Sequence, residues 1–225
     1  MKKIRLITAS FGDSKQELVI KGSLASTAYK VDTVYYNNSN THSRKNSLHP
    51  RLKAKIPKMM EWSEYPDYDY YIWVDSQFVI MDGFIDKMME FVDEEADLFL
   101  FPHGKRNSIQ EEVNFMNDKL TSGNIYMNER YRGEYTNEQV ALYLSDKSFV
   151  DNRLFAGGCF MYTKCLFKNR NYNMMTDWML HNTLYSIQDQ LSLPYLLHKH
   201  QVKYKVYPHL LMRNDFLVHN FAVFY

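Results

Sequence analysis

The sequence predicts an α/β fold, because short apolar runs typical of buried strands alternate with segments of helical spacing. The clearest strand is Tyr70–Asp75 (YYIWVD), and Ile4–Thr8 and Leu98–Phe101 have the same character. Helical spacing follows Pro50 (RLKAKIPKMMEW) and covers Gln188–His198. The chain has 225 residues, and a typical domain has about 150, so we expect one domain spanning 1–225.

The composition excludes two broad classes. Hydrophobic residues make up 45% of the chain and aromatic residues 16%, which is enough to fill a core and excludes general disorder. The 27 Lys and Arg residues nearly balance the 26 Asp and Glu residues. No global field therefore attracts nucleic acid, and we expect no nucleic-acid partner.

The cysteine usage and the absence of long apolar runs predict a cytoplasmic protein. Cys159 and Cys165 match neither a zinc knuckle nor a redox pair, and we expect free thiols. The start, Met1–Asp13, lacks the apolar core of a secretory signal because Arg5 interrupts it. No apolar run approaches the roughly 20 residues of a transmembrane helix, so no such segment is predicted.

The first half of the chain places polar residues after its predicted strands. Ile4–Thr8 leads into Ala9, Ser10 and Phe11, and a second strand, Val31–Tyr36, leads into a polar loop, 37–47, that is a candidate lid. In the basic helix after Pro50, we expect Pro57 to cause a break or a kink. Ligands bind at the carboxyl edge of such sheets, so these strand ends are candidate sites.

The other elements follow in chain order. Gly157 and Gly158 interrupt a predicted strand, which is typical of a bulge or a close backbone approach. Ser108 with Glu111 predicts a helix start; 124–144 has no clear pattern. The predicted elements are strand Phe78–Met81, helix Phe84–Val92, strand Ala96–Phe101, strand Arg153–Tyr162, helix Asp177–Tyr185 and strand Val202–Val206.

Asp75 is the sharpest candidate site residue. It ends the Tyr70–Asp75 strand, where a carboxylate can bind a divalent cation that bridges two phosphates. The alternative is a turn former or helix cap. Gln77 stands where a second acid would complete an Asp-x-Asp pair, so another ligand is needed. We expect His219, because imidazole suits Mn²⁺; the alternative is a packed or solvated tail histidine.

Asp189 and Gln190 stand at a predicted helix start. The Asp189 carboxylate can bind sugar hydroxyls or remove a proton from an acceptor, and the helix dipole favours its charged form. An ordinary acidic cap explains the same residues. Trp178 can stack against a sugar ring, although a lone Trp in an amphipathic helix is more often core.

Two basic groups are further candidates for anion binding. His103 and Arg106 follow the Leu98–Phe101 strand and can bind an acceptor or an anionic sugar, or Arg106 can form a local salt bridge with Glu111. The other group is a stripe along the helix after Pro50 that can neutralise phosphates or simply be solvated. Its members are Arg51, Lys55 and Lys58.

Four blocks of the sequence, in order, resemble a known family. They are HPRLKAKIPKMMEW, YDYYIWVDSQFVI, FLFPHGKRNSIQEEVNF and DWMLHNTLYSIQDQLSLPYL. Their order and spacing, over roughly residues 48–200, are similar to those of the glycosyltransferase-like family that includes the plant mucilage-related proteins. Asn182-Thr183 stands where that family tends to have Asn-Glu, and Gln188 replaces the Arg before Asp189.

The resemblance implies a GT-A fold, Rossmann-like, with a nucleotide-binding half of about 1–100 and an acceptor-side half of about 101–225. It implies a hexosyltransferase of polysaccharide biosynthesis that uses a nucleotide-sugar donor, with UDP-sugar expected, and Mn²⁺ or Mg²⁺. The acceptor would be a glycan, a lipid-linked glycan or another hydroxyl. Inversion and retention both stay open.

The resemblance also implies roles for the candidate residues. The loop Thr8, Ala9, Ser10 and Phe11 would hold the nucleoside, with Arg51 and Lys55 on the donor side. Asp75, Ser76 and the cation would hold the diphosphate, and Gly157 and Gly158 would let the strand approach the donor sugar. Asp189 would be catalytic, and His103, Arg106, Trp178 and Gln190 would contact the acceptor or sugar.

Two other classes stay open as alternatives. A non-catalytic carbohydrate-binding module would use the abundant Tyr and Trp side chains without a nucleotide. A metal-dependent lipid amidase or other hydrolase would need several His or Asp ligands around a metal-bound water. The sequence contains neither a G-x-S-x-G nor an H-E-x-x-H motif, which disfavours an esterase and a zinc hydrolase. It also contains neither a G-x-G-x-x-G nor a Walker motif, which disfavours dinucleotide binding and P-loop chemistry.

Overall fold

Strands and helices alternate along the chain, as the computed structural model shows for residues 1–12, 18–41, 47–167 and 173–220. The strands are β1 (Lys2–Ala9), β2 (Val19–Ile20), β3 (Tyr29–Tyr36), β4 (Tyr70–Val74), β5 (Phe78–Ile80), β6 (Leu98–Pro102), β7 (Phe155–Thr163), β8 (Tyr204–Val206) and β9 (Leu217–His219). The helices are α1 (Pro50–Glu64), α2 (Phe84–Met89), α3 (Ile109–Thr121), α4 (Ile125–Tyr131), α5 (Thr136–Ser145), α6 (Met174–Leu184) and α7 (Asp189–Lys199).

A six-stranded sheet organises the fold, with the order β3-β1-β4-β7-β6-β8. Neighbouring strands pair in parallel except β7, which is antiparallel to both β4 and β6. The predicted class, an α/β fold with a mixed and mostly parallel sheet flanked by helices, is confirmed. Because β7 runs in reverse, its first residues lie at the edge where β1, β4 and β6 end.

A small second sheet, β2-β5-β9, extends the structure beyond β4. Strand β5 follows β4 after a short turn, and β9 pairs with it so that His219 lies opposite Phe78. The sequence pattern indicated β5 but neither β2 nor β9, because strands of two or three residues carry too little periodicity to be recognised.

Both faces of the large sheet are covered. One core contains Met59 and Trp62 of α1 and Trp178 of α6, packed on the side of the sheet that presents Trp73 and Phe160. The opposite core contains α2. A third cluster joins α3, α4 and α5 to α7. Helices α1, α6 and α7 therefore lie together on one face, and this arrangement positions the charged groups described below.

The helices differ from the sequence pattern in two regions. The predicted break at Pro57 is wrong, whereas a kink there stays a prediction. Helix α1 continues through Pro57, although proline lacks the N–H that would bond to the Lys53 carbonyl. The burial of Pro57, Met59 and Trp62 offsets that loss. Residues 124–144 form α4 and α5, so side-chain packing in the third cluster, including Val140 at 2% exposure, compensates for weak local spacing.

Other expectations concern loops and membranes. The candidate lid, 37–47, lies partly outside the described residues, which omit 42–46. The glycine-containing strand does contain an irregularity: its pairing with β6 shifts register between Leu100 and Phe101, opposite Gly157 and Gly158. Within the described residues, every helix is too short or too polar to span a lipid bilayer.

Candidate functional site

Asp75 lies at the carboxyl end of β4, in the turn that leads to β5. Its backbone N–H donates to the Gly158 carbonyl at 2.7 Å, and Trp73 Nε1 donates to its Oδ1 at 2.6 Å. The side chain is 34% exposed, and no hydrogen bond to Oδ2 is found among the described residues. Ser76 follows in the turn and is half-buried. The carboxylate is thus held by one oxygen and open at the other.

Two lysines of α1 converge on Asp189 beside this position. Lys55 Nζ and Lys58 Nζ each lie 2.6 Å from Asp189 Oδ2. Lys58 Nζ also donates to the Gly157 carbonyl at 2.6 Å and lies 3.8 Å from Asp75 Oδ1. The Lys58 ammonium group therefore links α1 to α7, to β7 and to the end of β4.

The two lysines differ in how deeply their side chains are buried. The Lys58 side chain is 3% exposed and the Lys55 side chain 14%, so Lys55 is the more accessible cation. The Lys58 ammonium also lies 5.3 Å from the centre of the Trp73 ring and 5.7 Å from that of Phe160, within the range of cation–π attraction. Lys58 is thus an interior cation, and Lys55 is the more accessible of the two.

Burial and neighbouring charges shift the pKa values of Lys58, Lys55 and Asp75. Burial lowers the pKa of Lys58, but the Asp189 and Asp75 carboxylates outweigh it and the net shift is upward. Burial lowers the pKa of Lys55, and the Asp189 charge only partly opposes this. Burial raises the pKa of Asp75 despite the nearby ammonium groups.

Asp189 does not have the properties of a proton acceptor. Burial acts to raise its pKa, but the Lys55 and Lys58 ammonium groups hold the pKa of Asp189 well below its usual range. It is 4% exposed. A carboxylate with so low a pKa is a weak general base, which argues against proton removal by Asp189. In this structure its carboxylate is the shared partner of the two lysines, and its catalytic role stays a prediction.

The paired glycines give room to protein groups rather than to a donor sugar. A Cβ atom at Gly157 would lie 3.1 Å from Asp189 Oδ1, and one at Gly158 would lie 2.8 Å from Phe78 Cε2 and 3.1 Å from Leu211 Cδ2. The predicted close approach is therefore real, but what approaches is the Asp189 carboxylate and the Phe78 ring.

Trp178 is fully buried and presents no face to a sugar. Its exposure is 0%, and its Nε1 donates to the Asp189 carbonyl at 3.0 Å. The stacking role is therefore wrong in this structure, since the α6–α7 packing encloses the ring. Gln190 is half-buried, donates to the Phe155 carbonyl at 2.8 Å and accepts from Gln188 at 3.0 Å.

His103 and Arg106 form an internal network after β6. The Arg106 guanidinium pairs with Glu112 and lies 4.0 Å from the centre of the Phe115 ring. The backbone N–H of Arg106 donates to His103 Nδ1 at 3.0 Å. The alternative of a local salt bridge is correct, with Glu112 in place of Glu111. A direct role of His103 and Arg106 in acceptor binding stays a prediction.

The end of β1 and the loop that follows it are only partly available to a ligand. Thr8 and Ala9 are buried, at 0% and 7% exposure, so contact between their side chains and a nucleoside is excluded in this arrangement. Ser10 and Phe11 are half-buried, and Phe11 lies beside the Lys53 ammonium, 5.0 Å from its ring centre. Arg51, in the first turn of α1, is half-buried.

A divalent cation fits this site only together with further oxygen ligands. Asp75 offers Oδ2, and His219 lies opposite Phe78, three residues after Asp75, in the β5–β9 pairing. Burial lowers the pKa of His219, and the Asp75 charge partly opposes this. His219 also packs edge-on against Phe78, 5.3 Å between ring centres. The described residues contain no group of three or more His, Cys, Asp and Glu side chains that could hold a metal ion.

Sequence reasoning missed the central role of Lys58 and the support that Trp73 gives to Asp75. Lys58 was recognised only as part of a basic stripe. The available signal is spacing: Lys58 shares a helix face with Met59 and Trp62. Such a position indicates an interior lysine rather than a solvated one.

Comparisons with known proteins add little to the geometry. No family model matches the chain, and no curated protein matches it, so the family resemblance stays a prediction. Among solved structures, the chain is similar to a crystal structure of a glycosyltransferase involved in the glycosylation of the major capsid of PBCV-1. The identity is 10%, the match covers 96% of this chain and 91% of that chain, and the TM-score is 0.45. A similarity of this size carries no functional argument.

Proposed function

We propose that the protein is a glycosyltransferase that transfers a hexosyl group from a nucleotide-sugar, with a UDP-sugar as the expected donor, to a glycan, a lipid-linked glycan or another hydroxyl acceptor. The observation that carries the proposal is the convergence of Asp75, Lys55 and Lys58 at the carboxyl edge of β4. Sheets of this kind bind ligands at that edge, and the two ammonium groups offset the Asp75 and Asp189 carboxylates, which would otherwise repel a diphosphate.

The lysines would act on the leaving group. Breaking the bond between the sugar and the diphosphate places additional negative charge on the phosphate oxygens, and preorganised positive groups stabilise such charge most strongly where water is excluded. Lys55 would contact the phosphate because it is the more exposed of the two. Lys58 would hold Asp189 and the Gly157 carbonyl in place and contribute its charge from the interior.

Mn²⁺ or Mg²⁺ belongs to the same proposal. Asp75 Oδ2 and the His219 imidazole would hold it, and the diphosphate oxygens would complete its coordination, because the described side chains alone are too few. When bound, such an ion supplies further neutralisation of the leaving group. Ser10 and Phe11 would contact the nucleoside, and Gln190 the acceptor side.

Thermal shift measurements with UDP and MnCl₂ test the binding step. We expect the two together to raise the melting temperature of the wild-type protein more than either alone, since a ligand that binds only the folded state stabilises it. Asp75→Ala should lose the joint effect. Asp67→Asn is the matched control, because Asp67 is an exposed acid before β4, at the opposite edge of the sheet.

Turnover is tested by incubating the protein with a panel of UDP- and GDP-hexoses and measuring release of the nucleoside diphosphate. We expect release by the wild-type and Asp67→Asn proteins and at least a tenfold loss in Asp75→Ala. Equal release in all three proteins, or no stabilisation by any nucleotide, would rule out the proposed site.

A further inference from the structure

A cavity separate from the lysine cluster opens between the loop after α5, the start of β7 and the C-terminal half of α7. Its volume is about 240 Å³. The apolar part of its wall comes from Phe149, Phe155, Tyr204 and Leu197 together with Pro194. This volume lies just below the roughly 300 Å³ at which pockets for drug-sized ligands begin, so the cavity fits a single ring.

The polar part of the wall lies at the rim. Asn152 and Arg153 are exposed, and the structure shows no hydrogen bond or ion pair of either side chain among the described residues. The hydroxyl of Tyr204, which is half-buried, likewise has no recorded hydrogen bond there. Three polar groups and several rings thus converge on one small space.

His198 and Ser148 close one side of this rim. His198 Nε2 lies 3.0 Å from Ser148 Oγ and 3.9 Å from Asp146 Oδ2, and Ser148 Oγ donates to Asp146 Oδ1 at 2.6 Å. This is not a hydrolytic triad, because the serine and the carboxylate approach the same ring nitrogen. The three groups instead hold each other in place.

The cavity lies near the proposed reaction site. Phe155, in its wall, is two residues before Gly157 along β7, which corresponds to about 7 Å. Pro194 is five residues after Asp189 on α7, which corresponds to about 7.5 Å along the helix axis. The Phe155 carbonyl accepts from Gln190, so the walls of the two sites share residues of the same strand and helix.

We propose that this cavity is a saccharide subsite that binds an acidic sugar unit of the acceptor, a refinement that rests on the proposed transferase function. Rings such as Tyr204 and Phe149 pack against the apolar face of a sugar, and the Asn152 amide bonds its hydroxyls. The Arg153 guanidinium has no carboxylate partner among the described residues. It pairs with a sugar carboxylate in the bidentate geometry that arginine favours.

Two glycosides that differ only at C6 test the proposal: methyl β-D-glucuronide, which carries a carboxylate, and methyl β-D-glucoside, which does not. Binding is measured by isothermal titration or by saturation-transfer NMR. We expect the glucuronide to bind the wild-type protein about tenfold more tightly, the gain typical of a hydrogen bond to a charged group. Arg153→Ala should abolish this preference.

Lys147→Ala is the matched control, because Lys147 is an exposed cation on the same loop and does not line the cavity. It should keep the tenfold preference. Equal affinity for the two glycosides, equal effects of the two variants, or binding of acetate as tight as that of the glucuronide would each overturn the proposal. UDP stabilisation, measured in parallel, separates these outcomes from failure of the transferase proposal, since Arg153→Ala should leave it unchanged.

Discussion

Lys58 Nζ lies 2.6 Å from Asp189 Oδ2, although the two residues belong to helices at opposite ends of the chain. The same ammonium bonds the Gly157 carbonyl and lies 3.8 Å from Asp75 Oδ1. One buried cation thus connects the helix, the strand and the two carboxylates of the candidate site. The predictions below follow from that connection.

Lys58→Met should destabilise the protein by about 3 kcal/mol. Removing one partner of a buried ion pair leaves the other charge poorly compensated, and losses of this size are typical. The free energy of unfolding, from urea denaturation, measures the change. Lys203→Met is the control, because Lys203 has an exposed side chain, and it should change stability by less than about 0.5 kcal/mol. A similar value for both variants would contradict the interior role of Lys58.

Asp75→Asn should separate stability from binding. The amide oxygen can still accept from Trp73 Nε1, and the position is 34% exposed, so we expect less than about 1 kcal/mol of destabilisation. The negative charge that holds a cation is lost, so joint stabilisation by UDP and MnCl₂ should disappear. Urea denaturation and thermal shift give the two quantities. A variant that unfolds readily but still responds to UDP and MnCl₂ would show that Asp75 is structural.

The depressed pKa of Asp189 predicts a specific acid dependence. Because the folded pKa is below the usual value of about 3.9, the folded state binds this proton less readily than the unfolded state. The carboxylate therefore stabilises the fold above about pH 4, and this contribution is lost as the pH falls further.

Urea denaturation of the wild-type protein and of Asp189→Asn, between pH 7 and pH 2.5, measures this dependence. The difference in unfolding free energy between the two proteins should be constant down to about pH 4 and should shrink below it. Comparing the two proteins cancels the carboxylates that do not interact with Asp189. A difference that does not depend on pH would show that Lys55 and Lys58 do not hold Asp189 in its charged form.

Gly158→Ala should be destabilising because of overpacking. The added Cβ atom would lie 2.8 Å from Phe78 Cε2, and the ring is 1% exposed, so relief requires movement of the core at a cost of about 1–3 kcal/mol. Gly104→Ala is the control, because its Cβ would meet Leu210 at 3.4 Å, an ordinary contact. Melting temperatures of the two variants test the difference; equal values would contradict the tight packing at Gly158.

Trp178→Phe should affect packing and leave sugar binding unchanged. The indole is buried and its N–H donates to the Asp189 carbonyl, so the loss of that bond should cost about 1 kcal/mol or more. Titration with the two methyl glycosides should give the same affinities as for the wild-type protein. Weaker binding in this variant would restore the stacking role that the structure opposes.

Some features of the candidate site could be predicted from local pattern. Three features were predicted: the buried strand that stops at Asp75, the glycine pair within a strand and the basic helix after Pro50. Each depends on the spacing of apolar residues and on strand termination, which are set by neighbours in the chain. The bulge opposite Gly157 and Gly158 confirms the second of these.

Other features could not be predicted because they depend on distant partners. Strand β9 forms only because β5 presents a pairing edge to it. Trp178 faces no ligand because the packing of α6 against α7 buries its ring. The partner of Arg106 is Glu112, whereas the Glu111 carboxylate accepts from the Asn107 backbone N–H before α3.

The sequence by itself determined the α/β class, most of the strands and the carboxylate at the end of β4, since these depend on residue spacing and backbone hydrogen bonding. Only the tertiary structure decided that Asp189 is an ion-paired carboxylate and Lys58 an interior cation. Electrostatic interaction depends on the distance between charges and on their removal from water, and both are set where α1, β7 and α7 meet.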